Sequence, residues 1–285
     1  MSQDDASEWK TITKNSKRCA GKRNRHHHAK VNNDRSYLSS SSLTLNEMTK
    51  SLQSCMEELK KSQFFGNFEK AMIDVLLKHH ISTIVCYGVG NFGKSKLSAP
   101  MWQLAFAMAA KEFLQNHQQE THEEHSSNIV IHYFEPNTTN EEAIFLERNS
   151  IQIIPDNERG KRKAKGATFF FMPHCPLLLY SNLLHTNWEN ANNLIIFGNS
   201  LSAYTNRLIS EETSGVELLR LLEPHWEEMV FSLRKEDISN LPAYFEQAFN
   251  DSSLTYFPQK NQENEPWPEM PESLGDDDDD GGETI

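Results

Sequence analysis

Ser82-Thr83-Ile84-Val85-Cys86-Tyr87-Gly88-Val89-Gly90-Asn91-Phe92-Gly93-Lys94-Ser95 is the stretch from which the architecture is read. Its first six residues are short, largely β-branched or aromatic, and apolar at consecutive positions, which is the texture of a strand covered on both faces. A glycine-rich turn follows at once, and a strand ending in such a turn opens the ligand edge of many α/β domains.

The same texture recurs downstream. Asn128–Phe134, Ile151–Ile154, Ala167–Met172, Asn193–Phe197 and Met229–Leu233 read as strands, and Pro100–Gln115, Asn140–Arg148, Pro176–Trp188, Ser202–Ile209 and Leu241–Phe249 read as helices between them. Upstream, Met48, Leu52, Cys55, Met56 and Leu59 fall at helical spacing, and Phe68, Met72, Val75 and Leu76 continue the pattern in a second helix. Doubly apolar strands alternating with helices predict an α/β domain, Rossmann-like and doubly wound, with a mainly parallel sheet and helices on both faces.

Composition sets the boundaries. The 285 residues carry 28 Lys and Arg against 40 Asp and Glu, a formal charge of -12, and 37% are hydrophobic, which suits a folded core diluted by polar ends. Residues 1–45 hold nine basic and four acidic side chains, with His26-His27-His28 and a serine run, and read as a disordered basic arm. Residues 259–285, with ten acids and Asp276 to Asp280 in a row, read as a disordered acidic tail. Residues 46–258 form the domain. A second basic run, Arg159 to Lys165, reads as an exposed loop.

Cys19, Cys55, Cys86 and Cys175 are widely spaced with no CxxC pair, and no apolar segment after Met1 suggests a signal peptide, so a reduced compartment is expected, cytoplasmic or also nuclear. No apolar run approaches the ~20 residues of a membrane span. The basic cluster Lys17 to Arg25 is the only feature suited to nucleic acid. No metal site is expected, because His117, His122 and His125 lack accompanying cysteines and ligand spacing.

Gly88, Gly90 and Gly93 fit G-x-G-x-x-G, and Gly88 with Gly93-Lys94-Ser95 also fits the Walker pattern. The two differ in where the following helix begins. Ser98-Ala99-Pro100 looks like an N-cap and first turn, which leaves Lys94 and Ser95 in a loop and disfavours the Walker reading. In the dinucleotide reading Glu135, at the end of the second strand, would accept ribose hydroxyls, although the separation from Gly93 is about twice the usual ~20 residues.

Two other strands end in unusual loops, Pro173-His174-Cys175-Pro176 and Gly198-Asn199-Ser200. In a parallel sheet all carboxyl ends share one edge, so Gly88, Gly90, Gly93, Glu135, His174, Cys175, Asn199 and Ser200 are expected to line one crevice. Cys175 precedes a helix opened by Pro176, whose N-terminus would lower the thiol pKa; a small buried thiol beside a rigid turn is the alternative.

These segments resemble the sensitivity-to-red-light-reduced family, here termed SRR-like. The resemblance rests on Val85 to Asn91, Gln103-Leu104-Ala105, Glu135-Pro136, Asn157 to Arg162 and, most specifically, Phe171-Met172-Pro173-His174-Cys175-Pro176 with Leu179 to Leu184, Asn187-Trp188 and Gly198-Asn199-Ser200. It covers roughly Met48 to Pro258. The chain departs from it at Glu135, where Asp is usual, and at Gly93, where Ser or Ala is common.

The resemblance implies a regulatory protein, associated with circadian clock-gene expression and with control of haem biosynthesis, and carries over no established reaction, so the reading leans away from an enzyme. The partner of the crevice is then a small molecule or an unidentified protein. Haem held by Cys175 or His174, and a nucleotide held by the glycine loop, are the cofactors considered. The competing reading is a nucleotide- or S-adenosylmethionine-dependent transferase using the same crevice.

Overall fold

The computed structural model describes residues 42–121, 128–207, 214–233, 242–258 and 266–271. Residues 1–41 of the basic arm, His122, His125 and the acidic run from Glu272 onward lie outside them.

Helices α1 (Leu45–Lys61) and α2 (Gln63–Leu76) precede the first strand, β1 (Thr83–Tyr87). Then come α3 (Ala99–Thr121), β2 (Val130–Phe134), α4 (Asn140–Arg148), β3 (Ile151–Ile153) and β4 (Thr168–Met172). After these follow α5 (Leu177–Thr186), β5 (Leu194–Asn199), α6 (Leu201–Arg207), α7 (Ser214–Leu222), β6 (Glu227–Val230), α8 (Ala243–Phe249) and β7 (Ser252–Tyr256). The sheet order is β3-β2-β1-β4-β5-β7-β6. The first five strands of that order are parallel, and β7 runs antiparallel to both β5 and β6. Among the described residues no helix is long and apolar enough to cross a membrane.

Period-two alternation divides the core. Ile84, Cys86, Phe169, Phe171, Ile195 and Phe197 face a layer built by α1 to α4 and α8, while Val85, Phe170, Met172, Leu194 and Ile196 face one built by α5 to α7. The first layer is aromatic. Phe106 of α3 stacks on Phe197 with ring centroids 4.5 Å apart and on Phe171 at 5.1 Å, and meets Phe68 at 4.8 Å.

The doubly wound reading holds, and several local features differ from expectation. Helix α3 runs past Gln115 to Thr121, so His117 sits on a helix and stacks on Phe113 instead of lying in a histidine loop. Ser252–Tyr256, which carries hydroxyls at three of its first four positions, forms a buried strand between β5 and β6; its polar composition masked it, and so did its position beyond the βα repeats. Helix α7 was also missed. Trp267 packs against Trp188, His225 and Phe257, and Trp188 Nε1 donates to the Pro268 carbonyl at 3.1 Å, an anchorage hidden by the proline-rich composition around it.

Phe106 touches rings from a helix layer and from two strands, so its removal leaves a cavity that no single neighbour can fill. Phe106→Ala is expected to cost about 3–5 kcal/mol, measured as a lower urea midpoint with an unchanged slope.

Candidate functional site

The carboxyl ends of β1, β2, β4 and β5 bring the expected residues to one edge, and hydrogen bonds define how they stand there. Gly88 and Gly90 both have left-handed φ, +68° and +80°, which glycine adopts without steric cost. A Cβ on Gly88 would lie 2.9 Å from Cys175 Sγ, so the first glycine is also required for contact between the β1 and β4 loops.

The glycine loop is closed by carboxylates of its own chain. Gly90 N–H donates to Glu135 Oε2 at 3.0 Å, and Asn137 N–H donates to the other oxygen at 3.1 Å. Gly93 N–H donates to Glu142 Oε1 at 2.6 Å. Glu142 is 1% exposed and also receives Asn91 Nδ2 at 3.1 Å and Thr139 N–H at 2.9 Å. Sequence reading missed Glu142, although Thr139-x-x-Glu142 is a capping-box spacing and the structure shows both of its bonds. A Cβ on Gly93 would meet Met48 Cε at 2.8 Å and Glu142 Cγ at 3.0 Å, so a side chain there would have to displace its neighbours.

Helix α3 starts at Ala99, with the Ser98 carbonyl receiving Trp102 N–H at 3.0 Å. Lys94 and Ser95 therefore lie exposed in the turn before it, outside the first turn of α3. They cannot hold a phosphate and magnesium as a Walker loop does.

Cys175 departs from the lowered pKa expected of a thiol near a helix N-terminus. Its side chain points back toward the Tyr87 carbonyl, 3.5 Å from Sγ, and burial, with the Glu135 carboxylate adding to it, pushes its pKa up to about 12. Desolvation overrides the helix dipole here. Such a thiol is protonated at neutral pH and is neither a nucleophile nor a thiolate ligand. It is 2% exposed and packed against Gly88. Cys55 and Cys86 are likewise buried, and burial raises both of their pKa values.

Asn199 organises the β5 end. Its Oδ1 accepts from His174 N–H at 2.8 Å, and its Nδ2 lies 3.2 Å from the Cys175 carbonyl and 2.8 Å from Tyr204 Oη. Tyr204 Oη in turn donates to the Cys175 carbonyl at 2.9 Å. His174 is held at φ +54°, strained for a residue with a Cβ, with its ring exposed and Nε2 3.2 Å from the Ala248 carbonyl of α8. Ser200 is buried and acts as the N-cap of α6, its hydroxyl accepting from Ala203 N–H at 3.1 Å. His174 is thus the side chain of this group that the fold presents outward, while Glu135, Cys175, Asn199 and Ser200 shape the edge from beneath.

Two measurements check this geometry. In a Cys19→Ser chain, Ellman's reagent is expected to titrate no thiol in native buffer and three after denaturation. Glu142→Ala, which strands three donors, is expected to cost about 3 kcal/mol by thermal or urea unfolding.

The SRR1 domain model matches residues 44–256, which spans the sheet, both helical layers and the edge just described. The Arabidopsis thaliana protein SENSITIVITY TO RED LIGHT REDUCED 1 is 27% identical over 214 residues, covering 71% of each chain. A mouse SRR1-like protein is 32% identical over 129 residues, 44% of this chain and 47% of the relative, and a Drosophila melanogaster SRR1-like protein is 25% identical over 214 residues, 74% and 68% respectively. With the match extending over most of its length, the chain belongs to the SRR1 domain family.

Proposed function

We propose that this chain is an SRR-like regulatory protein, acting in circadian clock-gene expression and in the control of haem biosynthesis, and that the carboxyl edge of its sheet recognises a small ligand or a protein partner. The observation that carries the reading is the Asn199 hub. It spends its hydrogen bonds fixing the backbone of His174 and Cys175 and the hydroxyl of Tyr204, so one imidazole is presented from a rigid, strained turn. Strain held in place by surrounding bonds is characteristic of recognition and active-site turns. A protonated Cys175 beside it favours binding over nucleophilic catalysis. The red-light response in the name of the Arabidopsis relative is consistent with a signalling role.

A second reading, a nucleotide- or S-adenosylmethionine-dependent transferase, is favoured by the strand order, which is the doubly wound 3-2-1-4-5 arrangement extended by two strands. Glu135 stands at the end of β2, where such folds meet a ribose, but it would have to release Gly90 N–H to do so. That likeness concerns the fold and not the chemistry.

His174→Ala separates the two. It is expected to leave the melting temperature within about 2 °C, since alanine keeps the Cβ that the strained φ already carries and the exposed ring gives up one hydrogen bond, to the Ala248 carbonyl. In cells depleted of the endogenous protein it should fail to restore the amplitude of clock-gene transcripts. Full restoration would remove the edge from the regulatory role. A thermal-shift series with S-adenosylmethionine and unphosphorylated nucleosides is expected to show no saturable change; a saturable rise with one of them would favour the transferase.

A further inference from the structure

The opposite, amino-terminal half of the same strands carries a feature that the crevice does not use. The connection from β3 to β4, residues 154–167, contains no helix and crosses the sheet face as an extended cover. Beneath it is a cavity of about 420 Å³, with Val85, His132 and Phe170 on its floor and Thr83 and Thr168 at the strand starts. This volume is within the range of small-molecule sites.

The cover is not the loose loop its composition suggests. Gly160, at φ +78°, lies so close to α5 that a Cβ would stand 2.6 Å from the Leu179 carbonyl oxygen. Asn187 is 1% exposed; its Oδ1 accepts from Ala164 N–H and its Nδ2 donates to the Arg162 carbonyl, both at 2.8 Å. Tyr87 Oη donates to Glu158 Oε2 at 2.6 Å, and Arg162 Nη1 reaches both oxygens of the same carboxylate at 2.8 and 2.9 Å. The backbone that carries the lysines is therefore fixed in advance.

Lys161, Lys163 and Lys165 line the cavity at alternate positions and stand exposed, and no ion pair joins any of them to an acid among the described residues. Glu158, already shared by Arg162 and Tyr87, is the single carboxylate of the lining. Four cations against one anion leave the concavity strongly positive in a chain whose net charge is -12. A cleft lined by one sign of charge concentrates the opposite ion, and lysines bind phosphate as point charges.

We propose that this cavity is a second binding site, for a small phosphorylated metabolite carrying at least two negative charges, with its phosphates on Lys161, Lys163 and Lys165 and its organic part against His132 and Thr83. The site lies toward the starts of β1 and β4, and its link to the carboxyl edge is Tyr87, whose hydroxyl binds Glu158 and whose carbonyl receives Cys175 Sγ.

Calorimetric titration of the full chain with inorganic pyrophosphate, in low salt and again at about 150 mM, near physiological ionic strength, provides the test. Saturable binding is expected, weakened at least tenfold in Lys161→Ala/Lys163→Ala and less than twofold in Lys50→Ala/Lys70→Ala, a pair of lysines on α1 and α2 that removes the same charge. The ring resonances of His132 should shift with pyrophosphate in the parent chain and not in the cavity variant. Absence of saturable heat, equal loss in both lysine pairs, or binding that leaves His132 unmoved would each overturn the assignment.

Discussion

Tyr180 ties the site to the sheet. Its hydroxyl, fully buried, donates to the Met172 carbonyl at the end of β4 and accepts Asn199 N–H from the end of β5 at 2.8 Å, so one side chain of α5 closes the gap where two parallel strands diverge. Gly198 makes that possible. A Cβ there would stand 2.4 Å from the tyrosine oxygen and 2.8 Å from the Met172 carbonyl. With both hydrogen-bonding roles of the hydroxyl met, burial of this polar group carries no large penalty. Asn199 is thereby placed to hold His174, Cys175 and Tyr204, and the whole carboxyl edge inherits its geometry from this contact.

The two ends of the sheet use charge differently. At the carboxyl edge the acids face inward, where Glu135 and Glu142 satisfy the amides of the glycine loop as an anionic ligand would in a dinucleotide fold. At the amino end the single acid, Glu158, is neutralised within its own network and the lysines face outward. One strand contributes to both, since Tyr87 places its carbonyl beside Cys175 and its hydroxyl on Glu158. Burial, and then the Glu158 carboxylate, raise the phenol pKa, which keeps that hydroxyl a proton donor across the physiological range.

The strands of the parallel half were legible because their residues are apolar on both faces, a pattern that neither an amphipathic helix nor a half-exposed strand produces. β7 was not, because Ser252, Ser253 and Thr255 are buried within the sheet between β5 and β6 although their side chains are polar. Glycine spacing identified the loop, and the position of Ser98 identified where α3 starts. The partners of that loop were only half legible: Glu135 followed from its place after β2, whereas Glu142 resembles any acidic residue in a helix first turn until α4 is packed against Gly93. Arg159 to Lys165 read as a solvated run, because nothing local reveals that Asn187 and Leu179, some twenty residues later, pin it down.

The sequence by itself determined the alternation of strands and helices, the segments that can be buried, and the residues that strand order would bring to one edge, because periodicity and glycine placement are local properties. Tertiary structure decided what those residues do there. Desolvation overrode the helix dipole at Cys175, internal carboxylates filled the glycine loop, and a basic run became the wall of a cavity. Each outcome depends on distances between segments far apart in the chain, and electrostatic and packing energies are set by those distances, not by the identity of the residues alone.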